Sequence, residues 1–384
     1  MADEGAPGMP FSGLVDQVRS IMPECIRLRR EIHSNPELSM GEHGTAKHLS
    51  AFLAAHGLKP TGYGFPSVVC DTGPSPRVAI RADMDALPIV EESGEEFSSM
   101  NQGAMHACGH DAHSAILACA GVILSRAGIP VRLIFQPAEE TGQGARMMIS
   151  EGVLDGVDRI FGLHVWPSLD TGTMAVLDGP AMAGNSLFSA RLYGGGGHGA
   201  YPHLAADTIT AASSFIMNAN SIVSRNIDPL DRAVISFGQL EAGRAPNVIP
   251  SEVGIKGTIR YFSAETKGVL KGRLERLLAD ASSSFGLKHA ISWFSEGPAV
   301  INDSGCAASL SGAISPWVKM VACNPTMGSE DFAYYLHERK GAFAFLGTGS
   351  GESTRRSKHS SRFRLDEDSL YYGILSEVVA GGTL

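Results

Sequence analysis

The sequence predicts an α/β protein with a mostly parallel sheet, interrupted by a smaller α+β domain. Three features of the pattern lead there. Short apolar runs alternate with helical periodicity through the first 180 residues. A middle stretch then reads strand–helix–strand–strand–helix–strand, the order of an α+β unit with helices on one sheet face. From residue 294 the α/β alternation resumes. The expected domains are therefore 1–180 and 294–384 for the α/β part and 181–293 for the insert.

Element by element, residues 1–10 are small, polar and rich in Pro and Gly, which predicts a frayed start. Phe11, Leu14, Val15, Val18, Ile21 and Met22 recur at helical spacing, and Pro23 should kink or restart that helix before it runs on to His33. A second helix is predicted over 44–56. Apolar runs at 78–80, 131–135 and 160–165 read as buried strands, with helices at 114–125 and 143–151 between them. The insert should hold strands at 187–193, 234–240, 252–262 and 290–294 and helices at 204–225 and 265–285. Helices at 306–317 and 330–338, a strand at 342–346 and a last helix from Asp366 complete the chain.

Of the 384 residues 43% are hydrophobic and 18% charged, an ordinary globular composition with enough apolar residues for more than one core. Lys and Arg number 31 against 40 Asp and Glu, a net charge of −9, so neither a nucleic-acid footprint nor a polybasic membrane patch is expected. The longest apolar run, 115–124, is too short to span a bilayer. The opening MADEGAPGMP lacks a basic segment followed by an apolar one, and the six cysteines are widely spread. Neither a secretory leader nor a disulfide framework is expected, which points to the cytoplasm.

Several short motifs could carry chemistry. In Arg81-Ala82-Asp83-Met84-Asp85, at the end of the 78–80 strand, Asp83 and Asp85 share a strand face about 6.6 Å apart. Open α/β sheets place ligands beyond such strand ends; the plainer reading is a polar turn. His106-Ala107-Cys108-Gly109-His110-Asp111-Ala112-His113 packs three histidines and a cysteine ahead of an apolar helix, so thiolate and imidazole could meet on one metal. Asp111 could alternatively cap that helix. No second Cys-rich cluster completes a structural zinc site. Gln136-Pro137-Ala138-Glu139-Glu140 follows the 131–135 strand directly. One of its glutamates could hold a metal while the other faces a water as base.

His164 closes the 160–165 strand beside Trp166, where a satisfied core histidine is the competing reading. His359 lies in a basic loop with Arg355, Arg356 and Lys358, and alone would pass for an exposed loop residue. Gly194-Gly195-Gly196-Gly197-His198-Gly199 reads as the opening of the insert's first helix. It lacks phosphate-loop spacing, and no Gly-x-Ser-x-Gly elbow offers a serine nucleophile. A mixed N, O and S donor set suits Zn, Mn, Co or Ni alike.

Taken in order, Arg29-Arg30-Glu31-Ile32-His33 with Asn35-Pro36-Glu37-Leu38, then RADMDALPI, HACGHDAH, PAEE, GLHVWP, GGGGHGAYPH, APNVIP and GSEDF form a specific set. From about Phe11 onward the chain resembles the aminoacylase/carboxypeptidase class of dinuclear metallohydrolases. More narrowly, it resembles the branch of indole-acetyl-amino-acid amidohydrolases, hippurate hydrolases and N-acetyl-amino-acid deacetylases. The resemblance implies two divalent ions (Mn, Zn, Co or Ni) in the α/β domain and a ferredoxin-like lid insert that makes a homodimer. It implies Cys108, His110, Glu140, His164 and His359 as metal ligands with Cys108 bridging, Glu139 as general base and Asp85 as a supporting carboxylate. It further implies that His198 reaches a neighbouring subunit's site and that Asn247 and Arg260 meet the substrate's carboxylate.

The implied reaction is hydrolysis of the amide of a small N-acyl amino acid (acetyl, benzoyl or indole-acetyl). Deamination of an aminated aromatic acid, or a binding protein without turnover, are the alternatives. One departure stands out. Family members usually carry Leu before the last histidine and often Pro two after it, whereas this chain reads Lys358-His359-Ser360-Ser361.

Overall fold

The computed structural model describes residues 13–383. The frayed start expected for 1–10 and the helix start at Phe11 lie outside the described residues. In chain order the elements are α1 (Leu14–Ser34), α2 (His43–Ala55), β1 (Val68–Asp71), β2 (Val78–Asp83), α3 (His110–Arg126), β3 (Val131–Gln136), α4 (Gly144–Ser150), β4 (Arg159–Asp170), β5 (Thr173–Val176) and β6 (Gly179–Met182). Next come β7 (Gly184–Tyr193), β8 (Gly197–His198), α5 (Thr208–Asn226), β9 (Val234–Ala242), β10 (Val248–Ile249), β11 (Glu252–Tyr261), α6 (Ala264–Ser284) and β12 (Lys288–Gly297). The chain ends with β13 (Val300–Asn302), α7 (Ser304–Ile314), β14 (Lys319–Met320), α8 (Ala333–Glu338), β15 (Lys340–Gly349) and α9 (Ser369–Thr383).

Two compact units result. The first comprises the described residues up to Ala181, Ile301–Asn324 and those from Asp331 onward; the second is Met182–Val300 with Pro325–Glu330. In the first unit a seven-stranded sheet runs β1-β3-β2-β4-β15-β5-β14. Its centre, β3-β2-β4-β15, is parallel, while β1 and β5 pair antiparallel with β3 and β15. Central strands buried on both faces read as continuous apolar runs, which is why β2, β3 and β15 were visible in the sequence. The short β1, β5 and β14 were not.

Helix α1 buries Leu14, Val18, Ile21, Cys25, Leu28 and Ile32 along one stripe. Pro23 does not restart it: α1 continues through this residue, which lies on the exposed face. Helix α3 is buried on every side from His110 to Leu124, between the sheet and helices α1 and α9. It starts four residues before the predicted 114, so His110, Asp111 and His113 belong to its first turns. Gly109, at φ 89°, occupies the N-cap position, and Asp111 does not cap the helix.

The second unit carries a four-stranded antiparallel sheet in the order β12-β7-β11-β9. The β-α-β-β-α-β sequence with this strand order is ferredoxin-like. Helices α5 and α6 bury Phe215, Ile222, Leu270, Leu274 and Leu278 in a core shared with Phe188, Leu192, Val253 and Ile255 of the sheet. The glycine run does not open the first helix of this unit. Gly197–His198 instead pairs with Val248–Ile249, and α5 waits until Asp207 accepts the Thr210 N–H at 3.0 Å as its cap.

Phe188 is fully buried and meets the rings of Phe237 at 5.8 Å and Trp293 at 5.4 Å. Phe188→Ala should cost ~3–5 kcal/mol of stability through the cavity it leaves. Denaturant unfolding followed by tryptophan fluorescence reads that loss; a change below about 1 kcal/mol would mean this core is loosely packed.

Candidate metal centre

The parallel ladder decides where polar side chains gather. Pairing of β2 with β4 stops at Arg81 and Gly162, so Asp83 on one strand and His164 on the other lie just past it. Strand β4 itself continues to Asp170, so His164 is inside the strand rather than at its end, paired with Phe345 of β15.

Arg81 is fully buried beneath the site. Its guanidinium donates to Asp83 Oδ2 (2.8 Å), Asp331 Oδ1 (2.8 Å) and Gln136 Oε1 (2.9 Å). Burial would raise the Asp83 carboxyl, but the neighbouring His110, His113 and Arg81 outweigh it and hold it well below the usual carboxylate range. Asp83 Oδ1 in turn takes the Nδ1–H of His113 at 2.6 Å, while His113 Nε2 accepts the Val165 N–H at 2.9 Å. With both nitrogens engaged, His113 is a neutral brace between α3 and β4. It is the one histidine of HACGHDAH that this bonding removes from ligand duty.

His110 differs. Its Nδ1 faces Asp85 Oδ1 at 3.2 Å, which leaves Nε2 as the free lone pair. That buried Nε2 has no hydrogen-bond partner, and neither has Glu140 Oε1, 3.9 Å away. Unpaired buried acceptors cost ~1–3 kcal/mol each, and two aimed at one spot are what a cation would relieve. Burial pulls the His110 pKa down, but Asp83, Cys108 and the Asp85 bond outweigh it and lift it well above 6.5. The pocket favours positive charge.

Asp85 organises the rest. Its Oδ1 accepts the Glu139 N–H at 3.1 Å and its Oδ2 the Glu140 N–H at 3.0 Å, with the Ser39 hydroxyl at 2.6 Å. The preceding Ala138 N–H donates to Glu42 Oε1 at 2.8 Å. Two carboxylates thus hold three successive N–H groups of the PAEE turn, in which Ala138 adopts φ 55°. Burial pushes the Glu42 carboxyl up to about 7. No sequence signal singled out Glu42.

His164 donates Nδ1–H to the Val165 carbonyl at 2.8 Å, so its Nε2 lone pair faces Cys108 Sγ at 3.4 Å. Burial, with Lys358 and His113 nearby, keeps its pKa well below 6.5 and the ring neutral. His359 reaches the cluster from a loop held to Cys108's own segment by its N–H to the Ala107 carbonyl (2.9 Å); its backbone has φ 65°. Its Nε2 lies 3.5 Å from Glu140 Oε1, and the closeness of Cys108 and Glu140 raises its pKa to about 10.

Of five groups whose donor atoms lie within 4.8 Å of one another among the described residues, three draw only on the expected ligands and Glu139: Cys108, His110 and His164; Cys108, Glu140 and His359; and His110, Glu139 and Glu140. Thiolate, imidazole and carboxylate together fit a borderline divalent ion such as Zn, Mn, Co or Ni. Cys108 belongs to the first two groups, as an atom shared by two ions would.

Three other expected residues belong to the second unit. His198 and Val248 are cross-strand partners, which sets Asn247 beside Gly199, whose N–H donates to the Asn247 carbonyl at 2.8 Å. Arg260 lies on β11 and donates to Ser329 Oγ at 3.0 Å.

The Arg29–His33 motif has a structural partner in Asp111. Asp111 Oδ2 accepts from Arg29 Nε at 2.9 Å and His33 Nδ1 at 2.8 Å, and His33 Nε2 faces Glu91 at 3.1 Å. Burial lowers the His33 pKa, but Asp111's charge and the bonds to Asp111 and Glu91 overcome that and Arg29's repulsion, raising it to about 9. A folded-state pKa above the unfolded ~6.5 stabilises fully only below about pH 6.5, and that stability is lost progressively as pH rises from there through about 9. The melting temperature should therefore fall more steeply between pH 7 and 10 in the wild type than in His33→Gln. Parallel slopes would assign the charge elsewhere.

Residues 79–377 match peptidase family M20/M25/M40. The chain is 37% identical to the N-acetyl-L-cysteine deacetylase of Bacillus subtilis (strain 168), over 90% of this chain and 85% of that one. It is 38% identical to the IAA-amino acid hydrolase ILR1-like 4 of Arabidopsis thaliana, over 91% and 82%. The fold superposes with a TM-score of 0.82 on a Bacillus subtilis structure described as a dinuclear metal-binding peptidase of the M20 family, 32% identical, covering 94% of this chain and 98% of that one. The chain belongs to peptidase family M20/M25/M40 and is a metal-dependent amidohydrolase.

Proposed function

We propose that this enzyme hydrolyses the amide bond of N-acyl amino acids, using two divalent ions held by Cys108, His110, Glu140, His164 and His359, with Glu139 as general base. The observation that carries the reading is the sharing of Cys108 between two donor groups, with the Glu139 carboxylate in a third that overlaps them at His110 and Glu140. The relatives named for N-acetylcysteine and indole-acetyl amino acids support the substrate class. Which of Mn, Zn, Co or Ni is native follows from none of these donors, since all of them tolerate this mixture.

A divalent ion, when bound, supplies Lewis acidity that draws electron density from a carbonyl and eases deprotonation of water near neutral pH. The chain's residues do the rest. Glu139, aimed by the Asp85 bond to its N–H, takes a proton from the attacking water and returns it to the departing amine. Such positioned proton transfer is worth ~10²–10⁴-fold. Asp85 keeps His110 in the tautomer whose Nε2 is free. His198 donates to the developing oxyanion in a neighbouring subunit of a homodimer formed through the second unit, and Asn247 and Arg260 bind the substrate's carboxylate. The cytoplasm is the compartment that free cysteines fit, and those among the described residues are all free.

Glu139→Gln should retain metal and fold while losing at least ~10²-fold in turnover; near-normal turnover on N-acetyl, benzoyl and indole-acetyl amino acids would remove Glu139 as base. Cys108→Ala should lower metal content by elemental analysis, and an unchanged content would exclude the shared-thiolate arrangement. Inactive His198→Ala and Glu139→Gln subunits, mixed, should regain activity as heterodimers, whereas no regain would place each site within one subunit.

A further inference from the structure

The loop bearing His359 is basic, and most of its cations are answered. Arg355 pairs with Asp170, Arg362 with Glu92 at 3.5 Å and Arg364 with Glu95 at 3.1 Å. Lys358 is not. Its Nζ sits 3.9 Å from the centroid of the Trp166 ring, and among the described residues no carboxylate lies within ion-pair distance of it. The same indole stacks on Phe345 at 4.2 Å and meets the His164 ring edge-on at 5.9 Å. A half-buried ammonium is thus fixed against a rigid aromatic wall, next in sequence to one proposed ligand and one ring away from another.

Packing does not require that charge. A leucine would cover an indole face as well. Contact with the ring attracts a cation and leaves it positive. The nearby Glu140 carboxylate and Cys108 sulfur belong to the donor groups gathered for the ions. The unanswered charge fits an anion that arrives with the substrate.

We propose that Lys358 is a specificity-determining residue that binds a second carboxylate of the substrate, beyond the α-carboxylate common to all N-acyl amino acids. This rests on the N-acyl amino acid reading above. The second carboxylate has two chemical sources: an acyl group ending in one, such as succinyl, or an acidic amino-acid side chain. Matched pairs separate them: N-succinyl-alanine against N-butanoyl-alanine, and N-acetyl-glutamate against N-acetyl-glutamine.

The test compares kcat/KM for each pair in the wild type, Lys358→Arg and Lys358→Met. The methionine keeps a flexible apolar stem on Trp166 and removes only the charge. In one of the two pairs the wild type should favour the anionic member by at least about tenfold. Lys358→Met should erase that ratio, mainly through KM, and Lys358→Arg should keep it. An equal loss for both members of each pair, or no anionic preference in the wild type, would overturn the proposal and leave Lys358 a loop anchor. Should none of the four compounds be hydrolysed, the N-acyl amino acid reading fails on its own. Calorimetric binding of succinate to the metal-loaded protein then decides for Lys358: weakening of about tenfold in Lys358→Met supports it, and equal affinities overturn it.

Discussion

Everything at this centre hangs on the carboxylate of Asp85. One oxygen faces His110 Nδ1 and the Glu139 N–H, and the other takes the Glu140 N–H and the Ser39 hydroxyl. A single buried anion therefore sets the tautomer of one proposed ligand and the backbone of both the proposed base and another ligand. Burial alone would favour protonation. The His110 bond, the Ser39 hydroxyl and the Glu140 N–H reverse that and hold the carboxyl below its ordinary value. Asp85 can do this because β2 ends two residues earlier, at Asp83, level with the last residue of β3, Gln136, which leaves Asp85 past the carboxyl end of that strand pair.

A second layer keeps that arrangement rigid. Asp83 is locked by Arg81 and His113, and His113 by the Val165 N–H, so β2, α3 and β4 are cross-braced directly beneath the donor cluster. On the other side of α3, Asp111 is gripped by Arg29 and His33 from α1. The helix start that carries His110 is thus held by charge-assisted bonds from two directions, each stronger than a neutral hydrogen bond. Buried charges left without partners would be costly, which explains why the acidic residues here occur with arginines and histidines rather than alone.

Much of this was legible in the sequence, and what escaped did so for physical reasons. The donor residues stood out because Cys108 and His110 lie in a dense run of histidines, and because Glu140 and His164 follow apolar strand runs. The role of Asp111 was not legible: its partners lie 78 and 82 positions away, and no periodicity encodes such a pairing. Glu42 was silent for the same reason, since its bond to the Ala138 N–H spans 96 positions. At Pro23 the expected restart does not occur, and α1 runs on through a proline on its exposed face. The glycine run misled because its pairing with Val248–Ile249 is non-local. The two-residue strand β14 and the four-residue strands β1 and β5 were too short to leave a pattern.

The account reduces to two ions sharing the sulfur of Cys108. Anomalous diffraction from crystals of the metal-loaded enzyme, collected on either side of the metal's absorption edge, tests that most directly. Two peaks about 3.5–4 Å apart, each within bonding distance of Cys108 Sγ, are the predicted result. A single peak, or peaks that leave Cys108 Sγ unbonded, would contradict it.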